Sequence, residues 1–241
     1  MRVLRILALC ALKNNFINFL NLDRKQRSVM KCAKQFDELT INEQKAIATL
    51  ICNLFSDPKT SSYALYFSEW ELKTGNGTID KFTNAQLVVN LALSCLQSHN
   101  PSLIHSGAGI VYNISTRQVR VLEKPIEDEA FDFSNDAKLD YEDVSHSDLS
   151  EKKGSFVALK AYDNIVIDIC SSLWEVITDI DKDLSDEVMT CCLKTLKNFA
   201  HMLDIADSEM ADELKNISED RKLNQSNQEL ITELLAKFSI S

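Results

Sequence analysis

Apolar positions recur every three to four residues along nearly the whole chain, the period of a helix that buries one face. The pattern predicts helices over 2–21, 25–38, 42–55, 60–71, 80–97, 102–116, 155–179, 184–203, 207–217 and 226–238. Several have clear starts. Thr40 with Glu43 three residues on forms a capping box, and Ser226 with Glu229 repeats that signature before the last helix. Pro101 ahead of Ser102 opens the helix at 102–116, because proline at a first helical position gives up an amide that has no partner anyway. Asp57-Pro58 and Gly75-Asn76-Gly77 are breaks, and the alternation of Val119 to Leu122 fits a short strand. At the start of the chain Arg5 interrupts the apolar run, no clean cleavage site follows, and the helical period continues to Phe19 and Leu22. This reads as an uncapped core helix rather than a signal peptide. No run of 18 apolar residues exists, so no membrane span is expected.

Residues 123–154 break the pattern. They hold Glu127-Asp128-Glu129, scattered Asp and Ser, and few periodic apolar positions. Low hydrophobicity with like charge does not offset the entropy of ordering, so an acidic disordered insertion is expected here. It would divide one domain into parts 1–122 and 155–241.

Charge sharpens this division. Residues 1–122 carry 14 basic and 8 acidic side chains, whereas 123–151 carry 2 and 11; the whole chain is at −10. The acidity therefore sits mostly in the insertion and the C-terminal part. A chain with no overall basic field is not a general nucleic-acid binder. The densest cations are Arg2, Arg5, Arg24, Lys25, Arg27, Lys31 and Lys34, which read either as a solvated helix face or as an anion-attracting patch. The acidic insertion is one candidate occupant of such a patch. Five Gly and three Pro leave too few turns for a sandwich or barrel. Seven cysteines at wide spacing, with apolar neighbours and no CxxC, read as reduced, buried thiols of a cytoplasmic or nuclear protein.

Four apolar helices share a grammar. Small residues precede an Asn that is followed by an apolar residue, at Asn53, Asn90, Asn113 and Asn198, with intervals of 37, 23 and 85 residues. Small residues let helices approach closely, and an Asn late in an apolar helix can bond a neighbouring repeat's backbone. The fold class expected is all-α, an armadillo-like solenoid of stacked helical hairpins, with a plain helical bundle as the alternative.

Three segments carry a family resemblance: Ala48–Phe55 with its Asn53-Leu-Phe ending, His105–Ser115 with its small-residue run before Tyr112-Asn113, and Cys170–Leu203. Together they resemble the PUL domain, the C-terminal armadillo-like module of the phospholipase-activating-protein family. The resemblance implies a non-enzymatic docking module whose basic groove takes the C-terminal tail of the AAA-type ubiquitin segregase. The groove candidates are Lys45, Asn53, His105, Asn113, Lys194, Lys197 and Asn198. Cations would pair with the tail's carboxylates, and the Asn side chains would bond its backbone or brace neighbouring repeats. His105 stands where the family often has Arg. An unrelated helical scaffold or regulatory subunit is the alternative, and a monomer is expected in either case.

Catalytic and metal chemistry finds little to work with. The four His residues include no i, i+4 pair and no HExxH, so no metal or cofactor is expected. Asp179-Ile-Asp181-Lys-Asp183 imitates a calcium loop, but Leu184 stands where the turn needs Gly and Thr190 where a bidentate Glu belongs. His201 lies about a helix-length from Cys191 and Cys192, which is weak support for a nucleophile pair. No catalytic residue is expected.

Overall fold

The computed structural model describes residues 2–13, 15–23, 25–66, 69–73, 78–122, 153–179, 181–200 and 208–238. The helices are α1 (Arg2–Cys10), α2 (Phe16–Asp23), α3 (Ser28–Lys34), α4 (Ile41–Leu54), α5 (Pro58–Ala64), α6 (Asn84–Gln97), α7 (Pro101–Leu122), α8 (Lys153–Thr178), α9 (Asp186–Phe199), α10 (Ser208–Asp220) and α11 (Gln225–Phe238). A short 3-10 turn, Phe36–Glu38, precedes α4.

These helices stack in two rows. In the first row α1 packs on α4, α4 on α7, α7 on α9, and α9 on α11. In the second, α3 and α5 lie on α6, α6 on α8, and α8 on α10. The two rows meet along pairs such as α6 with α7 and α8 with α9. The chain is thus an all-α solenoid, with a continuous core between the rows that includes Leu50, Leu54, Leu91, Ile110, Ile114, Leu173, Leu193 and Phe199. Helices on both sides of the segment 123–152 belong to this one stack. The acidic insertion itself lies outside the described residues, and so does its expected pairing with the cations.

Local chemistry sets most boundaries. The Glu43 carboxylate accepts from the Thr40 amide at 3.1 Å and from its hydroxyl at 2.7 Å, closing the expected box at α4. Asp57 caps α5, Thr83 caps α6 and Ser185 caps α9. Asn100 accepts from the Ser102 amide where α7 begins. At the last helix the cap is Asn224, whose side chain accepts from the Asn227 amide at 2.9 Å, so the Ser226–Glu229 box does not form. Ser226 lies one turn position too late, already inside α11.

Three further expectations are corrected. The helix over 2–21 is two helices, because the polar residues after Leu12 end the apolar period and the chain turns before Phe16. The Val119–Leu122 segment continues α7 rather than forming a strand. The helices expected over 60–71 and from 80 are interrupted by an antiparallel hairpin, β1 (Trp70–Lys73) paired with β2 (Ile79–Phe82), Trp70 opposite Phe82. The hairpin is anchored on α3. Arg27 lies 5.0 Å over the Trp70 ring and Lys34 lies 4.6 Å over the Phe82 ring, with Asp80 at 3.7 Å. Trp70 also donates its indole N–H to Asn84, which donates to the Tyr63 carbonyl. Two of the densest cations are therefore engaged by the hairpin.

Candidate functional site

The exposed side of the first row gathers most of the expected groove residues. Its register follows from side-chain bonds between neighbouring helices. On α4, Asn53 donates to the Ala8 carbonyl of α1 at 2.8 Å. On α7, the Asn113 amide lies 3.9 Å from the Cys52 sulfur of α4. On α9, Asn198 donates to the Ser115 hydroxyl of α7 at 2.9 Å. Each of the three Asn side chains thus reaches back to the preceding helix of the row. Buried amide groups cost stability unless paired, so these rungs fix how far each helix slides along the next. Asn90, grouped with them by sequence, is exposed on α6 in the other row.

The last step of the row uses different groups. Asn227 on α11 is fully buried, accepts from the Thr190 hydroxyl at 2.7 Å and donates to the Asp186 carbonyl at 3.3 Å. Lys197 pairs with Glu233, and Lys237 donates to the Lys197 carbonyl. Early residues of α9 meet early residues of α11, and later ones meet later ones. The two helices therefore run in the same direction. Ile104 and His105 share an open depression with Ser185 and Val188, so the starts of α7 and α9 also coincide.

Close approach between the rows depends on one glycine. A Cβ at Gly107 would lie 2.8 Å from the Ala92 carbonyl oxygen and 2.9 Å from the Cys95 Cβ, so α6 and α7 touch backbone to backbone here. At Gly109 an added Cβ would meet the Cys52 sulfur at 3.5 Å, an ordinary contact.

The cations fall at two levels. Lys45 is half-buried eight residues before Asn53, and His105 is exposed eight residues before Asn113. They sit early on adjacent helices, whereas Lys194 is exposed midway along α9. Among the described residues no carboxylate forms an ion pair with Lys45 or Lys194, whereas Lys197 is committed to Glu233. Lys197 and the three Asn side chains already have partners within the protein, which leaves Lys45, His105 and Lys194 as its open groups. Sequence spacing found these residues; it did not reveal that Thr190 and Asn227 form the last rung. A Thr early in α9 and an Asn early in α11 carry no signal until both helices are placed side by side.

Of the seven thiols expected to be buried, Cys95, Cys170 and Cys192 are, Cys32, Cys52 and Cys191 are half-buried, and Cys10 is exposed because it lies on the outer side of α1. Burial pushes Cys52 and Cys191 upward from the ordinary thiol range; the Cys191 thiol adds to the rise at Cys52, while the Lys194 ammonium partly offsets that at Cys191. Burial pushes Cys95, Cys170 and Cys192 up to about 12. A protonated thiol is a poor nucleophile and a poor metal ligand. Among the described residues no three His, Cys, Asp or Glu side chains converge as a metal site requires. His201 lies outside the described residues. The calcium-loop mimic is a helix junction: Asp179 pairs with Lys182 at 3.9 Å, and Arg221 donates to the carbonyls of Asp179 and Lys182. No described helix is long and apolar enough to cross a membrane.

Fold and face together define a stacked-hairpin scaffold with a polar row surface. No protein-family model and no curated protein matches the chain. Among solved structures it is similar to the designed armadillo repeat protein YIII(Dq)4CqI, at 13% identity and a TM-score of 0.38. It is also similar to the designed armadillo repeat protein YIII(Dq.V1)4CPAF in complex with the peptide (KR)4, at 14% identity and a TM-score of 0.39. Each alignment covers 98% of this chain and 91% of the other.

Proposed function

We propose that the chain is a non-enzymatic docking module that takes an extended acidic peptide across the exposed side of α4, α7 and α9. The observation that carries this reading is the set Lys45, His105 and Lys194, open groups on three successive helices whose spacing is fixed by the Asn rungs. A solenoid face of this kind is rigid before binding, so little ordering cost falls on the protein side. The PUL resemblance in the three sequence segments supports a definite ligand, the C-terminal tail of the AAA-type ubiquitin segregase, and a role in ubiquitin-dependent proteostasis.

Fluorescence anisotropy with that tail peptide tests the reading at low and physiological salt. Binding at low salt, weakened about three- to tenfold by Lys194→Glu and again by Lys45→Glu, is the expected result. A tail peptide that fails to bind at low salt would overturn the segregase as partner. Binding that ignores both Lys variants would remove the peptide from this face.

A further inference from the structure

The first row has two ends, and their outer faces differ. α4, α7 and α9 each have a row neighbour on both sides, while among the described residues the two ends, α1 and α11, pack in the row on α4 and α9 respectively. The covered face of α1 presents Leu4, Leu7 and Ala8 to the core. Its opposite face is also apolar: Val3 is 67% exposed, Ile6 59% and Leu9 68%, and Leu12 in the following turn is 52% exposed. These residues recur every third position, which makes a ridge along the helix of the sort that packs into another helix's groove. Arg2, Arg5 and Lys13 are exposed beside the ridge, and residues 2–22 contain no Asp or Glu.

We propose that this face of α1 docks an acidic amphipathic helix of a partner protein, which would take the place of the next helix in the row. Position and charge both favour that occupant. The vacant side continues the packing that joins α1 to α4, and a helix needs about ten residues to follow the ridge from Val3 to Leu12 at 1.5 Å per residue. The charge carried by residues 2–22 is purely positive, so a helix with an apolar stripe and Glu or Asp beside it matches both features. A second copy of this chain fits poorly. Two α1 faces would bring Arg2, Arg5 and Lys13 of both copies together with no carboxylate to answer them. Docking on α11 would set the ridge against exposed Gln228, Thr232 and Glu233.

This surface is separate from the row side that carries Lys45, His105 and Lys194, so the two proposals stand or fall independently. A displayed library of helices about 15 residues long, with randomised surface positions, is selected on the immobilised protein. Enriched sequences should carry an apolar stripe and net negative charge. The synthesised winner should lose at least about 30-fold in affinity on Ile6→Ser/Leu9→Ser and about tenfold on Arg2→Glu/Arg5→Glu, with a weaker salt dependence in the latter. Because all four side chains are exposed, the variants should keep the wild-type circular dichroism and melting temperature, and any binding of the segregase tail. Enrichment of basic or uncharged helices overturns the proposal, as does a winner that ignores both variants, or no enrichment. Binding to phosphatidylserine vesicles that Ile6→Ser/Leu9→Ser abolishes, with no helix selected, assigns the face to a membrane surface. Dimerisation in sedimentation that the same variant abolishes assigns it to a second copy.

Discussion

The two ends of the first row are built on opposite principles. At the C-terminal end, α11 turns Leu230, Ile231 and Leu234 inward and leaves Gln225, Gln228, Glu229, Thr232, Glu233 and Lys237 outside. At the N-terminal end, α1 is apolar on both sides. A stack of helices adds units for as long as each new unit offers an apolar outer face, and a polar outer face ends it. α11 is thus a stop, and α1 is an open step.

The largest expected effect compares the same substitution at the two ends. Leu234→Ala removes a fully buried side chain and should cost about 2–5 kcal/mol in urea unfolding. Leu9→Ala removes an exposed one and should stay within about 0.5 kcal/mol. A large loss at Leu9 would mean that α1 is already covered in the isolated protein. Next comes the middle of the stack. Gly107→Ala should cost about 1–3 kcal/mol, because the added carbon meets backbone, whereas Gly109→Ala should gain up to about 1 kcal/mol from helix propensity. Equal effects at the two glycines would dismiss the close crossing of α6 and α7.

The rungs give a smaller contrast. Asn227→Ala removes a fully buried side chain that accepts from the Thr190 hydroxyl and donates to the Asp186 carbonyl, and should cost about 1–3 kcal/mol. Asn53→Ala, at the half-buried α1 end, should cost about 1 kcal/mol. Calorimetry on both variants ranks them, and a reversed order would mean that the α1 end is the better braced. A last contrast appears in alkaline solution. The thiols of Cys95, Cys170 and Cys192 titrate near 9.0 when unfolded and near 12 when folded. The folded protein holds protons that the unfolded chain releases, so the stabilisation is complete below pH 9 and declines as pH rises toward 12. Cys10 is exposed on α1 and should react with a thiol reagent at neutral pH without unfolding, while those three wait for it. Slow labelling of Cys10 would show a covered α1.

The helical period over most of the chain, the capping of α4 and three of the four Asn positions were legible in the sequence, because each rests on residues close together in the chain. Failures came where two local signals competed. Residues 60–71 hold enough apolar spacing to imitate a helix, yet Trp70 to Lys73 and Ile79 to Phe82 pair as a hairpin, with Arg27 and Lys34, at the two ends of α3, lying over its rings. The first helix was legible as apolar, but periodicity cannot say whether both apolar sides find a neighbour. On the row face, the spacing singled out Asn53, Asn113 and Asn198 without telling that each spends its side chain inside the protein. Partner atoms such as the Ala8 carbonyl are far away in sequence and were invisible to any local pattern.

The shared direction of α7, α9 and α11 has one more result. Peptide dipoles in neighbouring helices that point the same way add rather than cancel, as charges do on the plates of a capacitor. The starts of the three helices form an edge short of electrons, and their ends form an edge rich in them. Asp186 and Glu187 offset the first edge at α9, whereas the first turn of α7 holds no acidic residue. The first row therefore carries a polarity of its own, opposed by antiparallel α6 beside α7, that no count of side-chain charges records.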